Sequence, residues 1–266
     1  QPSAAAGETI AARVSLVRGA TVEPLFATDV AYAAGKPALT GTWNLTVRSA
    51  QFATVLASFG LPEVALAGTG SFTYNVETGA ATASGSLDGG ISKLEKLGTE
   101  LAAVGSLHVH AAFDGGSSKE SAQLGKLEFT VSTADGRKLV TVAAQQKLSF
   151  AFKDQRLTPE RPGAELARVS LLGVPLAWAQ PVVKPRVISG GDLSGVLVVG
   201  AELDGSRLKL STLEPLTVRA FTLREGEKTL VDRVTLSVSP HVDYTAARLV
   251  AEAEKLSLSA LGRGQG

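Results

Sequence analysis

The chain has 266 residues, of which 44% are hydrophobic and only 5% aromatic, and its formal net charge is +1. This length allows one large β domain or two smaller ones. The balanced charge argues against nucleic acid as a partner, because phosphate binding needs a concentrated basic surface. Cysteine is absent, which excludes disulfides, thiolate metal sites and cysteine nucleophiles. No run approaches the ~20 apolar residues of a membrane helix.

Alternation of apolar and polar residues is the dominant pattern along the chain. It begins at "TWNLTV" and recurs in "GSFTYNV", "GSLHVHAAF", "KLEFTVS", "KLSFAF", "GVLVVGAEL", "SRLKLS" and "DRVTLSVS". Successive side chains of a strand point to opposite faces, so each segment has one apolar and one hydrated face. Asp-Gly pairs in "STADGRKL" and "AELDGSRLKL" predict tight primed turns between neighbouring strands. The sequence therefore predicts a mainly β fold, with a long antiparallel meander sheet curled into a groove.

Four stretches depart from clear alternation and predict a few short helical inserts. Residues 49–60 place Phe52, Leu56 and Phe59 at helical spacing, and residues 91–105 predict a short, interrupted helix with Leu94, Leu97 and Leu101 on one stripe. Residues 163–183 are mixed, because Pro175 prevents one continuous helix. Residues 244–260 fit helix or strand, and strand is favoured because Arg248, Glu252 and Glu254 share one parity.

The organisation predicted from these patterns is a frayed N-terminus and two continuous units. Residues 1–7 form the frayed segment, residues 8–160 a first β-groove unit, and residues 161–266 a second unit continuous with the first. The prolines and glycine of "RLTPERPGAE" mark the seam between the two units. Because the chain starts at Gln1 and contains no methionine, we expect a mature form or an excised piece of a longer protein.

The order of these parts resembles the AsmA-like and TamB-like proteins of Gram-negative envelopes, which are related to repeating β-groove lipid-transfer proteins. The resemblance is carried by "ALTGTWNLTVRSAQFATVLASFGLPEVALAGTGSFTYNVETGAATASGSLDGGISKLEKL" and by a second pass from residue 163 to residue 210. It implies a sheet whose apolar side holds phospholipid acyl chains in the periplasm, within a protein anchored in the inner membrane. Partners at the inner and outer membranes would be reached through parts of the parent chain that lie outside these residues.

The width of the predicted sheet raises the same question of what covers its apolar side. About a dozen predicted strands at about 4.8 Å each would extend ~60 Å, which a few short helices cannot shield. Either two sheets close on each other as a sandwich, or one sheet curls and leaves an apolar slot for an amphipathic ligand. The candidate lining residues of such a slot are Leu45, Phe72, Tyr74, Leu107, Phe113, Phe129, Phe150, Leu197 and Leu208.

Residues suited to catalysis or metal binding are sparse. His108 and His110 lie two apart, a spacing that a metal could use, but we expect them on the hydrated face of a strand. Asp88, Asp114, Asp135 and Asp204 mostly lie beside glycine in predicted turns, as turn geometry favours, so no acid/base pair is invoked. We therefore expect no enzyme, no cofactor and no metal. The favoured hypothesis is a non-catalytic lipid-binding segment of a periplasmic protein, and the alternative is a structural or adhesive all-β domain, sandwich or solenoid, of a secreted or cell-surface protein.

Overall fold

A computed structural model of the protein describes residues 8–18, 20–32, 35–53, 59–154, 156–202, 207–245 and 247–260. Strands account for 73% of the residues and helices for 8%, which confirms the mainly β prediction. The strands, in chain order, are β1 (Glu8–Arg18), β2 (Thr21–Tyr32), β3 (Ala38–Arg48), β4 (Glu63–Asn75), β5 (Ala81–Ser92), β6 (Leu107–Ser117), β7 (Ser121–Thr133), β8 (Lys138–Ala144), β9 (Leu148–Ala151), β10 (Arg156–Pro159), β11 (Glu165–Pro175), β12 (Val187–Ser189), β13 (Asp192–Ala201), β14 (Arg207–Glu225), β15 (Lys228–Thr245) and β16 (Arg248–Ala260).

All sixteen strands belong to one curled antiparallel sheet, and nearly every strand pairs with its neighbours in sequence. The order is β1 to β8, then β11, β13, β14, β15 and β16; β9 pairs with β7 and β10, and β12 pairs with β14. This arrangement confirms the predicted meander. No second sheet faces the first within the described ranges, so the fold is not a sandwich, and β1 and β16 form the two ends of its main path.

The predicted seam between two units falls at the connection between β10 and β11. The sheet crosses that connection without a break, because Val169 of β11 lies opposite Val142 of β8. The predicted frayed segment, residues 1–7, lies outside the described residues. The strand prediction for residues 244–260 is confirmed by β16, apart from its first residues, which belong to the end of β15 and the turn.

The described parts of the helical inserts are short and mostly of the 3₁₀ type. Ser49–Phe52 forms one 3₁₀ turn, and Leu56 of the predicted helix lies outside the described residues. In the second insert β5 continues to Ser92, and 3₁₀ turns follow at Leu94–Lys96 and Thr99–Val104. The predicted stripe was wrong there: Leu94 is buried while Leu97 is 58% exposed. The first 3₁₀ turn ends at Lys96, and the extended backbone of Gly98 separates it from the second turn, so no continuous helix aligns these leucines.

The third insert is a strand followed by two short helices. Residues 165–175 form β11, Leu176–Ala179 forms a 3₁₀ turn, and Gln180–Val183 forms a single helical turn. The Asp-Gly turn between β7 and β8 also differs from the primed turn that was predicted. Gly136 has a φ of +84° and its N–H donates to Thr133, in a three-residue loop where only the glycine is left-handed. The second Asp-Gly pair lies outside the described residues.

Candidate functional site: the apolar face of the sheet

One face of the sheet carries most of the large apolar side chains of the central strands. The pairing of neighbouring strands aligns a single row of residues that crosses ten strands. Residues that lie opposite each other in paired strands point to the same side, and this side is called the apolar face below. The row runs through Val14, Phe26, Leu45, Gly68, Leu87, Ala111, Phe129, Val142, Val169 and Leu197.

All nine predicted lining residues lie on the apolar face. Leu45, Phe129 and Leu197 belong to the row itself. Four others share its parity on β4 and β6, Phe150 lies opposite Ala122 on β7, and Leu208 lies opposite Ala201 on β13. The four on β4 and β6 are Phe72, Tyr74, Leu107 and Phe113. Whether they line a lipid site remains a prediction.

Glycines on the apolar face allow aromatic rings to lie flat on the sheet. The indole of Trp43 on β3 covers Gly70, where an added Cβ would come within 2.5 Å of the ring, and it also covers Gly85 on β5. The same indole stacks on Phe113 of β6, with ring centroids 6.2 Å apart and planes 17° apart. Phe72 covers Gly41 in the same way. These rings lie flat across β3 to β6, and the surface they form is called the aromatic floor below.

The lining prediction missed Trp43 and Leu87, although both lie on the apolar face beside residues it contained. The glycines at 68, 70 and 85 share strand parity with apolar residues, which is the signal that could have indicated a flat floor. Finding it required knowing which strands are neighbours, since Trp43 covers glycines from two other strands.

The apolar face is open over most of its width. Ten of its large side chains are 38% exposed or more: Ile10, Val14, Tyr32, Val64, Tyr74, Phe150, Tyr244, Leu249, Leu256 and Leu258. The central residues, Leu45, Phe129 and Leu197 among them, are half-buried. The chain exposes 16665 Å² of surface, whereas a folded monomer of its mass exposes about 10,900 Å² by the usual scaling. An open sheet exposes more surface than a compact fold, and the unroofed apolar face contributes to this excess.

One end of the apolar face is covered by the helical inserts. Leu94, from a 3₁₀ turn, packs with Leu107 and Leu139, and Leu139 is fully buried. The inserts after β5 and β11 meet there, and Trp178 packs against the same cluster. Leu107 is only 8% exposed, so this predicted lining residue belongs to the protein's own core, where a ligand does not reach it. This region is called the roofed end below, and the rest of the face the open run.

The opposite face is polar and hydrated. Its hydroxyls pair across strands, as in Thr73 with Thr82 at 2.7 Å. His108 and His110 lie on this face as predicted, and the Nδ1 atom of His110 is 2.6 Å from Oδ1 of Asp88. In the part of the chain that the structure describes, no three His, Asp or Glu side chains come together in a geometry that could hold a metal.

An ion-pair network joins β14 and β15 on the polar face. Arg207 donates to both carboxylate oxygens of Asp243, at 3.0 and 2.8 Å, and also pairs with Glu202 at 3.3 Å. The hydrogen bonds and charge of Arg207 hold the pKa of Asp243 below its ordinary value, and His241 adds a smaller effect in the same direction. The network fixes two long strands to each other and leaves the apolar face free of charges at that point.

Comparison of the chain with protein-family models, with curated proteins and with solved structures gave no match. None of the helices in the described ranges has the length and apolar character needed to cross a membrane. The function therefore has to be argued from the geometry of the sheet.

Proposed function

We propose that the protein is a non-catalytic lipid-binding segment whose apolar face holds acyl chains. The observation that supports this proposal is the open run, which extends from the β1 edge to the β16 edge with large apolar side chains exposed. Soluble monomers rarely expose a contiguous apolar patch of more than a few hundred Å². A ligand with long alkyl chains covers such a surface without needing any specific polar contact.

Binding would be driven by transfer of methylene groups from water to the apolar face. Each methylene contributes about 0.8 kcal/mol when it is fully buried, so two acyl chains of ordinary length provide strong retention even when partly exposed. The flat floor formed by Trp43 and Phe72 suits extended chains, because rings lying over glycines leave no side chain standing across the path. Polar head groups would stay at the margin in water, so we expect weak selectivity among lipids.

The proposal agrees with the resemblance to AsmA-like and TamB-like proteins. In that setting the segment would shield phospholipid chains in the periplasm between the inner and outer membranes and contribute to outer-membrane homeostasis. The membrane partners would be contacted by other parts of the parent protein. The alternative, a structural or adhesive β domain, fits the same sheet but requires no bound lipid.

Mass spectrometry of organic extracts from protein purified without detergent tests the proposal. We expect phospholipid in near-stoichiometric amount from the unsubstituted chain, and a large loss from the variant Leu45→Asp/Phe129→Asp. Its matched control is Thr46→Asp/Thr130→Asp, which places the same charges one residue further along the same strands, on the polar face. An unsubstituted chain free of lipid would favour the structural alternative. Lipid retained equally by both variants would contradict the assigned face.

A further inference from the structure

Among the described residues, the edge formed by β16 is a long strand with one side unpaired. Within those residues its thirteen positions pair with β15 alone, and all of them except Val250 are exposed. Leu249 is 67% exposed, and no proline interrupts the strand. An edge of this kind presents a row of free N–H and C=O groups, which is a template for another strand.

A regular stretch of this edge is bounded on both sides. It begins at Arg248, after the turn from β15, and ends at Glu254, where an extra residue, Lys255, adopts a φ of +52° and shifts the register against β15. A bulge bearing a lysine is a common way to end pairing at an edge. The seven residues from Arg248 to Glu254 are therefore the part of the edge suited to further pairing.

We propose that this stretch pairs antiparallel with the same stretch of a second copy, with Ala251 opposite its own copy on a two-fold axis. This register places Arg248 opposite Glu254 of the second copy, twice per dimer, and places Leu249 opposite Ala253 on the apolar face. Opposite charges directly across a pair of strands are favourable, and like charges are not. Moving the axis to residue 252 would place Glu252 against its own copy, and moving it to residue 250 would pair only five residues.

The other edge does not offer the same complementarity. Self-pairing of β1 about Ala11 would place Thr9 opposite Arg13 and Glu8 opposite Val14, so no charges are matched. Pairing of β16 with β1 of another copy is also disfavoured. The main path of the sheet contains thirteen alternating strands, so its first and last strands run in the same direction, and stacking copies in one orientation would require a parallel ladder, which is less stable per residue.

A two-fold axis perpendicular to the sheet keeps the same face upward in both copies. The apolar faces of the two copies would thus join at β16, and the exposed Leu249 would lie inside one wider apolar surface instead of at its margin. This inference concerns assembly and does not depend on lipid: the pairing of β16 stands or fails independently of the proposed function.

Cysteine cross-linking tests the register directly, because the chain contains no cysteine of its own. We expect Ala251→Cys to form a covalent dimer under mild oxidation, since residues on a two-fold axis of an antiparallel pair have Cα atoms about 4.5–5.5 Å apart, within disulfide range. Ala253→Cys, on the same face of the same strand, is the matched control and should remain monomeric in non-reducing electrophoresis. Equal cross-linking of the two variants, or none from Ala251→Cys, would overturn the register.

A charge exchange tests the proposed ion pairs by sedimentation. Glu254→Arg should weaken dimerisation about tenfold, because it replaces two attractive pairs by two repulsive ones, and Arg248→Glu should do the same. The double variant Arg248→Glu/Glu254→Arg should restore the affinity of the unsubstituted chain, since positions 248 and 254 of the two copies again carry opposite charges. The proposal would be overturned if the unsubstituted chain stayed monomeric at its highest soluble concentration or formed open-ended oligomers. It would also be overturned if the double variant dimerised more weakly than either single variant.

Discussion

The roofed end and the open run belong to the same face of the same sheet, yet their apolar side chains have different surroundings. Leu107 and Leu139 are covered by short helices, and Leu139 has no exposed surface. Phe129 lies on the same face, on the strand between those two residues, and is only half-buried. The difference comes from the connections, because the inserts after β5 and β11 leave the sheet at one end and fold back only there.

Alternation alone does not distinguish a core from a binding surface. Both regions have the same period of two and the same kinds of side chain. What separates them is the length of the connection at each strand end. The tight turns at the other end of the strands, such as Ser118–Glu120 between β6 and β7, leave nothing to cover the face.

Truncation in the roofed end should have the largest effect on stability. Leu139→Ala removes a fully buried side chain and leaves a cavity, so we expect a loss of about 2–5 kcal/mol in the free energy of unfolding, measured by chemical denaturation. Lipid content should not change, because this side chain is inaccessible. If the variant lost lipid while retaining its stability, the roofed end would have to be part of the binding surface.

Adding a side chain beneath the aromatic floor should have an intermediate effect. Gly85→Val places its methyl groups where the indole of Trp43 lies, and overpacking of this kind costs about 1–3 kcal/mol. The displaced indole should shift its fluorescence emission to the red as it meets water. Gly90→Val, which faces the polar side near open space, is the control, and an equal spectral change there would argue against the flat packing of Trp43.

Truncation in the open run should lower stability less than truncation in the roofed end, and it should lower lipid binding more. Phe129→Ala removes a half-buried ring, so we expect about 1–2 kcal/mol, below the range for fully buried aromatic residues. The same variant should lower the lipid recovered per chain, because the ring provides binding surface. A stability loss as large as that of Leu139→Ala would show that Phe129 is a core residue in solution.

The smallest expected effect concerns acid sensitivity through the ion pairs of the polar face. Because Arg207 lowers the pKa of Asp243 in the folded state, this carboxylate stabilises the fold above its unfolded-state pKa. That contribution is lost as the pH falls from about 5 through the lowered folded-state pKa. Asp243→Asn should thus be less stable than the parent at pH 7 and lose less stability on acidification, as should Arg207→Gln. An unchanged acid slope in both variants would contradict the role given to this pair.

Much of the sheet could be predicted from the sequence because its strands show clear alternation. The parity of Phe72 and Tyr74 predicted the face they occupy, and the parity of Arg248, Glu252 and Glu254 predicted that residues 248–260 form a strand. These are local signals, read within one strand. They are reliable here because a strand with one apolar face and one polar face leaves little choice of side.

The features that could not be predicted all depend on contacts between distant parts of the chain. Leu107 looked like its neighbours on the apolar face, and only the folding back of two inserts buried it. Trp43 reaches glycines on two other strands, which requires the strand order. Leu139 reaches the core through a register shift between β7 and β8, and alternation had no means of indicating it.

Quenching of the two tryptophans by brominated acyl chains tests the central claim most directly, since the chain has only Trp43 and Trp178. Trp43 lies on the open run and Trp178 in the roofed end, and the variants Trp178→Phe and Trp43→Phe report on each separately. When dibrominated phospholipid is loaded, we expect strong quenching of Trp43 and little of Trp178. Equal quenching of both, or none of Trp43 in protein that has bound lipid, would contradict the assignment of the open run as the acyl-chain site.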